Sequence, residues 1–406
     1  MPVDVLRCRV CESDYPALAN GICVRCFGPL EPVYDWDEIA GVVTRERIQA
    51  GPHSLWRYAD LLPAIPPDDA ANGPGMTPLV PAPRLAGALG VGEVLLKLDL
   101  ANPTHSFKDR VVAIAAAKAV EFGLDTLSAT STGNLANAVA ARAAALGVRA
   151  VIFCPAGLEA EKFRATTVYG ATIYAVRGSY DDCSRLVSEL AGEVDWGIVN
   201  VNLRSYYAEG SKTLAFEISE QLGWETPSAV VMPIGSGAMY TKVWQGFEQF
   251  KRLGLTSGDP PRLYGGQAEG CSPVAAAFAE ERRVSPVRPA SIISSIAIGN
   301  PADGDLAIAT ARTSGGAIYS VPEDEVGENI ALLAETSGVF GEGATGVAIG
   351  ALREMVARGD VGERDRVVVI VSGTGLKTPQ LARATGTVVE IEPDVDALLE
   401  QMGVTV

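Results

Sequence analysis

A lysine follows the turn at residues 102–107 and begins a long apolar stretch. Ser106 has the side chain of a helix N-cap, and residues 111–120 have the composition of a buried helix. The start of a helix carries partial positive charge, which disfavours an ammonium and favours a free amine. Because a free lysine amine can act as a nucleophile or a base, Lys108 is a candidate catalytic residue. The alternative is a solvated lysine in a weak surface pair with Asp109.

Three turns of small residues each follow a predicted strand, at residues 131–134, 235–238 and 372–377. Such turns expose backbone N–H groups at the carboxyl edge of a parallel sheet, where α/β folds place ligands. The turn at 235–238 is neither a P-loop nor a dinucleotide fingerprint, so it favours a phosphate smaller than a nucleotide. Each turn alone could be a simple helix cap. Together with Lys108, the three turns predict one anion-binding site.

Two Cys-x-x-Cys pairs lie near the N-terminus. The four residues of this group, which are candidate metal ligands, are Cys8, Cys11, Cys23 and Cys26. Their spacing is typical of a zinc ribbon with four thiolates, a closed site in which the metal is structural. Four reduced cysteines without a metal are the alternative. The other cysteines are scattered, and we expect them to be small buried residues.

From residue 76 onwards, predicted strands and helices alternate, which indicates an α/β fold with parallel sheets covered by helices on both faces. The predicted strands are 94–100, 127–130, 148–154, 172–176, 197–201, 229–233 and 366–371. The predicted helices after the one at 111–120 are 135–146, 159–169, 180–190 and 211–222. A helix at 37–50 precedes them, and a short strand with an acidic helix is expected after residue 389.

The composition restricts the classes of function. A chain of 406 residues is long enough for two or three domains. Its net charge of −16 argues against a nucleic-acid surface. No apolar run has membrane-spanning length and the start lacks the features of a signal peptide, so a cytoplasmic protein with no membrane partner is expected. A histidine-rich zinc site or a serine–histidine triad would have to be built around His53 or His105, the two histidines of the chain. We expect His53 to be structural, whereas His105 lies three residues before Lys108.

The chain resembles the threonine synthases, which belong to a group of pyridoxal-phosphate enzymes with tryptophan synthase β-subunit, cysteine synthase and threonine dehydratase. The resemblance covers nearly the whole chain. It rests on the cysteine pairs and on residues 28–35, 102–110, 131–134, 209–213, 235–238 and 372–377.

The resemblance implies an α/β fold of pyridoxal-phosphate fold type II, with two domains built on doubly wound open sheets. A zinc-ribbon-like segment would occupy residues 1–35. Residues 36–125 and 215–390 would form the large cofactor-binding domain, residues 126–214 a smaller mobile α/β domain, and residues 391–406 a C-terminal tail. A homodimer is also implied.

The resemblance also implies a role for each site residue. Lys108 would form the Schiff base with pyridoxal 5′-phosphate and then transfer protons. The other residues implied to hold the cofactor are Asn134 at the phenolic oxygen, Ser372 at the pyridine nitrogen, and Gly235, Ser236, Gly237 and Ala238 at the phosphate. The residues implied for the substrate are Ser131, Thr132 and Gly133 at its carboxylate, and Ser106, Arg204, Asn202 and Lys377 at its phosphate.

The implied reaction converts O-phospho-L-homoserine and water to L-threonine and phosphate. Two residues depart from the family pattern: His105 replaces a common glycine, and Tyr207 replaces a frequent phosphate-binding arginine, for which Arg204 could substitute. His105 could contact the leaving phosphate, relay a proton or only pack. These departures leave the substrate open. The first alternative to a threonine synthase is a β-replacement enzyme acting on phosphoserine or a related amino acid, as in cysteate synthase, and the next is a dehydratase. A zinc-ribbon binding protein that has lost catalysis is the alternative from another class.

Overall fold

The computed structural model describes residues 3–131, 133–157, 160–178 and 180–402. Its strands are β1 Val5–Cys8, β2 Asp14–Pro16, β3 Leu30–Pro32, β4 Leu79–Pro81, β5 Glu93–Leu98, β6 Thr126–Thr130, β7 Arg149–Pro155, β8 Thr172–Val176, β9 Gly197–Ile198, β10 Ala229–Pro233, β11 Arg262–Ala268, β12 Ile318–Val321 and β13 Arg366–Val371. Its α-helices are α1 Trp36–Val42, α2 Arg45–Gln49, α3 Pro83–Leu89, α4 Lys108–Glu121, α5 Asn134–Leu146, α6 Ala160–Thr167, α7 Tyr180–Leu190, α8 Arg204–Tyr207, α9 Lys212–Gln221, α10 Ala238–Arg252, α11 Pro273–Ala279, α12 Gly304–Ser314, α13 Glu323–Ser337, α14 Gly343–Ala357 and α15 Val395–Gln401.

A six-stranded sheet with the order β12-β11-β10-β13-β5-β4 forms the larger layer. Its central strand β13 reads Arg-Val-Val-Val-Ile-Val and is buried on both faces, as expected for a parallel strand between helices. The prediction of parallel strands is wrong at one edge, because β4 runs antiparallel to β5. Pro81 at the end of β4 lacks an N–H group and is therefore suited to an edge strand.

A four-stranded parallel sheet with the order β8-β7-β6-β9 forms the smaller layer. Alanines of α4 and α5 pack together with β6 in one buried cluster. Small side chains allow these two helices to lie close together over the sheet. Val187 of α7 packs in a different cluster, with Val151 and Phe153 of β7. Helices therefore cover both faces, and the parallel pairing of the strands places their carboxyl ends at one edge.

The N-terminal segment forms an antiparallel sheet with the order β2-β1-β3. Glu31 of β3 pairs with Lys242 of α10 at 2.7 Å, and Lys242 also contacts Glu209 at 2.5 Å. Lys212 completes the group 2.6 Å from Glu209. Burial disfavours the Glu209 carboxylate, but Lys212 and Lys242 outweigh burial and hold the pKa of Glu209 at about 2. Buried ion pairs thus connect the N-terminal sheet to the helices beside α8.

Several predicted elements differ from the structure. Ser106 is not a helix N-cap, because the cap position is Phe107 and Ser106 forms a β-bridge with Gly373. The helix predicted at 37–50 is split into α1 and α2, because Val43 is extended and Thr44 caps the second helix. The strand predicted at 197–201 ends at residue 198. Residues 389–394 form no strand and lead directly into α15.

Across the parts of the chain that the structure covers, every helix is too short or too polar to cross a lipid bilayer.

Candidate active site

Lys108 is the first residue of α4 and lies beside the turn that follows β13. The Phe107 N–H donates to the Ser372 carbonyl at 2.9 Å, which fixes this approach. The half-buried Lys108 amine donates to the Tyr207 hydroxyl at 3.0 Å and lies 4.6 Å from the centre of the Phe107 ring. Lys108 is therefore held between two aromatic residues, and a cation in this position gains from their ring faces.

Asp109 is not the surface partner of Lys108. Its carboxylate is buried and accepts hydrogen bonds from the Thr104 N–H and hydroxyl, both at 2.8 Å. Burial raises the pKa of Asp109 to about 6, against the opposing effect of the Thr104 donors. Asp109 thus fixes the turn before α4 and leaves the Lys108 amine to Tyr207.

A chain of hydrogen bonds connects two of the predicted turns. The Glu342 carboxylate accepts from the Ser372 hydroxyl and from the Asn134 amide, each at 2.8 Å. The Lys377 amine donates to the Asn134 amide oxygen, Oδ1, at 2.8 Å and to the Thr104 carbonyl at 2.5 Å. The turns at 131–134 and 372–377 therefore meet next to the segment that carries Lys108.

The turn at 235–238 lies between β10 and α10, and β10 is the neighbour of β13 in the large sheet. Gly237 has a φ of +93°, and a Cβ there would lie 2.8 Å from the Asp303 carbonyl oxygen. Only glycine satisfies both conditions without strain. Ala238 begins a helix of 15 residues, whose first N–H groups point out of the helix end. This turn can cradle a phosphate group.

Arg204 lies beside the same turn. Its guanidinium contacts the Asp303 carboxylate at 2.5 Å, and the Asp303 N–H donates to the Ser236 carbonyl at 3.0 Å. Arg204 and Tyr207 are the two ends of α8, so this short helix reaches both the 235–238 turn and Lys108. Asn202 lies elsewhere: its amide bonds the backbone of Trp196 and Ile198, which closes the turn after β9.

The turn predicted to bind a carboxylate is described in part. The Ser131 hydroxyl accepts from the Gly133 N–H at 3.3 Å, and the Ser131 N–H donates to the Phe153 carbonyl. Thr132 lies outside the described residues. Gly133 is exposed and precedes α5, so its turn opens at the positive end of that helix.

Ser106 has a buried hydroxyl with no hydrogen-bond partner among the residues that the structure covers. An unpaired buried hydroxyl is costly in a finished protein interior. Its position two residues before Lys108 fits a site completed by a ligand with polar groups. The glycine turn, the helix ends and this hydroxyl are together suited to a phosphorylated ring compound that reacts with a lysine amine.

His105 has an exposed side chain and a left-handed backbone with a φ of +60°. Its ring Nδ1 lies 3.3 Å from the Leu100 carbonyl oxygen. This backbone conformation explains why glycine is suited to the position. A residue with a Cβ atom is destabilised by about 1–2 kcal/mol in the left-handed region.

Replacing His105 with glycine is expected to raise the free energy of unfolding by about 0.5–1 kcal/mol, since relief of strain exceeds the added freedom of the unfolded chain. Urea denaturation measures this change. The matched control is His53→Gly, because His53 is exposed and does not share the positive φ. The control variant is expected to lose stability. A loss of stability in His105→Gly as well would contradict the assigned strain.

The four N-terminal cysteines converge. Their Sγ atoms all lie within 4.8 Å of one another, and two cross pairs are 3.4 and 3.5 Å apart. Four thiolates around a tetrahedral zinc are about 3.8 Å apart. Backbone N–H groups of Val10 and Arg25 point to the Sγ atoms of Cys8 and Cys23 at 3.4 and 3.3 Å. The donor set fits a metal held by four thiolates.

Two residues of the site were not among the predicted ones. Tyr207 appeared in the sequence only as a departure from a family pattern, two residues before the motif at 209–213. Glu342 carried no such sign, apart from its position between two glycines before an apolar helix. Both contacts join segments that are distant in the chain, so local patterns do not reveal them.

Comparisons with known proteins identify the family of this chain. The family model described as "Pyridoxal-phosphate dependent enzyme" matches residues 70–373. The threonine synthase of Methanocaldococcus jannaschii is 33% identical over 397 residues, which are 97% of this chain and 98% of that protein. The threonine synthase of Methanosarcina acetivorans is 34% identical over 92% of each chain. That of Synechocystis is 37% identical over 81% of this chain and 85% of its own.

Solved structures show the same fold. Threonine deaminase isoform 2 from Solanum lycopersicum aligns with a TM-score of 0.65 at 21% identity, over 86% of this chain and 89% of that one. Diaminopropionate ammonia lyase from Escherichia coli aligns with a TM-score of 0.63 at 22% identity, over 75% and 86%. The fold is that of an α/β pyridoxal-phosphate enzyme of fold type II. The chain belongs to the pyridoxal-phosphate dependent enzymes, and its curated relatives place it with the threonine synthases of that family.

Proposed function

We propose that the protein is a pyridoxal-phosphate-dependent threonine synthase, which converts O-phospho-L-homoserine and water to L-threonine and phosphate. The observation that carries the proposal is the position of Lys108 where α4 meets the turn after β13, with its amine 3.0 Å from Tyr207. The similarity to threonine synthases over nearly the whole chain supports it.

The proposed cofactor contacts follow from the elements around Lys108. We propose that Gly235, Ser236, Gly237 and Ala238 hold the phosphate at the start of α10, that Asn134 donates to the phenolic oxygen, and that Ser372 faces the pyridine nitrogen. When bound, the cofactor withdraws electrons from the substrate carbons and so stabilises negative charge there. The residues of the chain orient the substrate and move its protons.

Lys108 is the proton carrier in this proposal. Its amine takes the α-proton, releases it, and then takes a β-proton, and phosphate leaves with the electron pair of the γ-carbon–oxygen bond. It then delivers a proton to the γ-carbon. Water adds its hydroxyl group at the β-carbon and gives its other proton to the released phosphate, and the amine returns a proton to the α-carbon. The hydrogen bond from the Lys108 amine to the Tyr207 hydroxyl would hold the amine over the substrate. Proton transfer depends on such a fixed orientation of the base.

We propose that the substrate carboxylate binds at the turn formed by Ser131, Thr132 and Gly133, where the Ser131 hydroxyl can donate to it and the Gly133 N–H can turn to it from the Ser131 oxygen. The substrate phosphate needs a second set of donors, and Ser106 and Arg204 are the proposed residues. The Ser106 hydroxyl has no hydrogen-bond partner within the described parts of the chain, whereas Arg204 reaches a ligand only by leaving Asp303. His105 is exposed beside this position and can contact a phosphate from the solvent side.

Purified protein loaded with pyridoxal phosphate tests the proposal. O-phospho-L-homoserine is expected to give equal amounts of phosphate and threonine. A second candidate is a β-replacement enzyme acting on phosphoserine. Tyr207 favours it, because many threonine synthases have a phosphate-binding arginine at this position. Turnover of phosphoserine with a nucleophile, and none of phosphohomoserine, would establish that candidate instead.

We also propose that the cysteine cluster binds one structural zinc ion. Metal analysis is expected to find one zinc per chain, and Cys11→Ser is expected to lose it. Without metal a ribbon of this size does not bury enough apolar surface to fold, so the N-terminal sheet should become protease-sensitive. Cys154→Ser, which changes a buried cysteine of β7, is the matched control. Full zinc content in Cys11→Ser would contradict this assignment.

The division into domains and the assembly of the chain are also proposals. We propose that residues 126–214, which contain the small sheet, move as a unit against a large domain formed by 36–125 and 215–390, with a ribbon at 1–35 and a tail at 391–406. We further propose a homodimer. Light scattering measures the mass of the assembly, and small-angle scattering with and without substrate measures the closure.

A further inference from the structure

Lys377 contacts the Asn134 amide at its oxygen. The amine lies 2.8 Å from Asn134 Oδ1 and 2.5 Å from the Thr104 carbonyl oxygen, and Asn134 Nδ2 lies 2.8 Å from a Glu342 carboxylate oxygen. A lysine ammonium has only donors and a carboxylate has only acceptors. Both neighbours therefore require the same orientation of the amide, with the oxygen toward Lys377 and the NH₂ group away from it.

We propose that Lys377 is a positioning residue that fixes the amide orientation of Asn134, so that its NH₂ group is presented to the phenolic oxygen of the cofactor. This inference rests on the proposed function, which assigns Asn134 to that oxygen. An amide turned by 180° would place its own oxygen against the phenolic oxygen and would lose the hydrogen bond. Lys377 prevents that rotamer, because its amine would then face an NH₂ group.

The surroundings of Lys377 favour this role over the substrate-phosphate role expected from the sequence. Its amine is half-buried, and two of its three donors are used by Asn134 and the Thr104 carbonyl. Burial lowers the pKa of the Lys377 amine, and the Glu342 and Asp109 carboxylates oppose this effect. Moving the amine to a substrate phosphate would release Asn134 at the moment when the cofactor needs its donor.

The test measures cofactor binding to the full-length protein without substrate. Lys377→Met is expected to weaken the affinity for pyridoxal phosphate about tenfold, the effect of one lost hydrogen bond, and to shift the absorption band of the bound cofactor. Asn134→Ala is expected to have a similar effect, and the double variant no further one, because Lys377 acts through Asn134. Lys118→Met, which removes a buried lysine paired with Glu121 near the other end of α4, should bind the cofactor normally.

Lys377→Arg is the second variant, because it keeps a cationic donor and should retain most of the affinity and the parental absorption band. Additive losses in the double variant would overturn the proposal. An unchanged affinity and spectrum in Lys377→Met, with a raised KM for the phosphorylated substrate, would also overturn it and return Lys377 to the substrate phosphate. Cofactor titration needs no turnover, so this failure is separate from a failure of the proposed reaction.

Discussion

Replacing Lys108 with alanine is expected to lower kcat/KM for O-phospho-L-homoserine at least about a thousandfold, because positioned acid–base catalysis alone contributes about 10²–10⁴. The amine lies at the junction of the predicted cofactor and substrate turns, next to Tyr207 and Phe107. The variant should still take up cofactor through the 235–238 turn. Borohydride should no longer attach the cofactor covalently to the chain. Mass spectrometry of the peptide around residue 108 measures this attachment.

Lys118→Ala is the matched control for this experiment. Lys118 is another lysine of α4, but its amine pairs with the Glu121 carboxylate at 2.6 Å. Its variant should keep kcat/KM and the covalent attachment of the cofactor. Activity of Lys108→Ala within about tenfold of the parent would contradict the role of Lys108 as proton carrier.

Replacing Arg110 with methionine is expected to reduce the free energy of unfolding by about 3–5 kcal/mol, because it leaves buried carboxylates without their partner. Arg110 is fully buried and pairs with Asp99 at 2.7 Å and with both oxygens of Glu217. Lys97 is the other cation of this group, 2.6 Å from Glu217. Urea denaturation at pH 7 measures the loss.

The same cluster predicts a pH dependence. Burial disfavours the Glu217 carboxylate, but Arg110 and Lys97 prevail and hold its pKa at about 2, below the ordinary 4.5. This stabilisation is therefore present above about pH 4.5 and is lost as the pH falls toward 2. Arg110→Met should lose most of that pH dependence.

Arg149→Met is the control for the buried cluster. Arg149 and Asp125 form an exposed pair at 3.3 Å, with side chains 65% and 75% accessible. Such pairs contribute about 0–1 kcal/mol, so the control should change stability by no more than that. Equal losses in Arg110→Met and Arg149→Met would show that the buried cluster does not stabilise the fold as inferred.

The sequence predicts the elements of this site better than its contacts. The apolar strand 366–371 and the small-residue turn after it follow from local composition, and the structure has that strand at the predicted residues. Lys108 does begin a helix. Ser106, however, forms an isolated bridge with Gly373, in the turn after β13 and far along the chain, so its side chain is not used as a cap.

The contacts that assemble the site depend on chain topology. Asn134 and Glu342 are 208 positions apart, and Lys108 and Tyr207 are 99 apart. No periodicity or motif encodes such pairs, which form only when the strands take their places in the two sheets. Gly373 shows how close the packing is, since a Cβ there would lie 2.6 Å from the carboxyl carbon of Glu342. A glycine pattern indicates a turn but does not indicate which side chain fills the space beside it.

The most direct test of the proposed reaction is to run it in water labelled with ¹⁸O. Elimination breaks the bond between the γ-carbon and oxygen, and water then adds at the β-carbon. The account predicts one ¹⁸O atom in the hydroxyl group of threonine and none in the released phosphate, in equal amounts of the two products. Labelled phosphate with homoserine as the other product would contradict it, because that result means hydrolysis at phosphorus without the chemistry of Lys108.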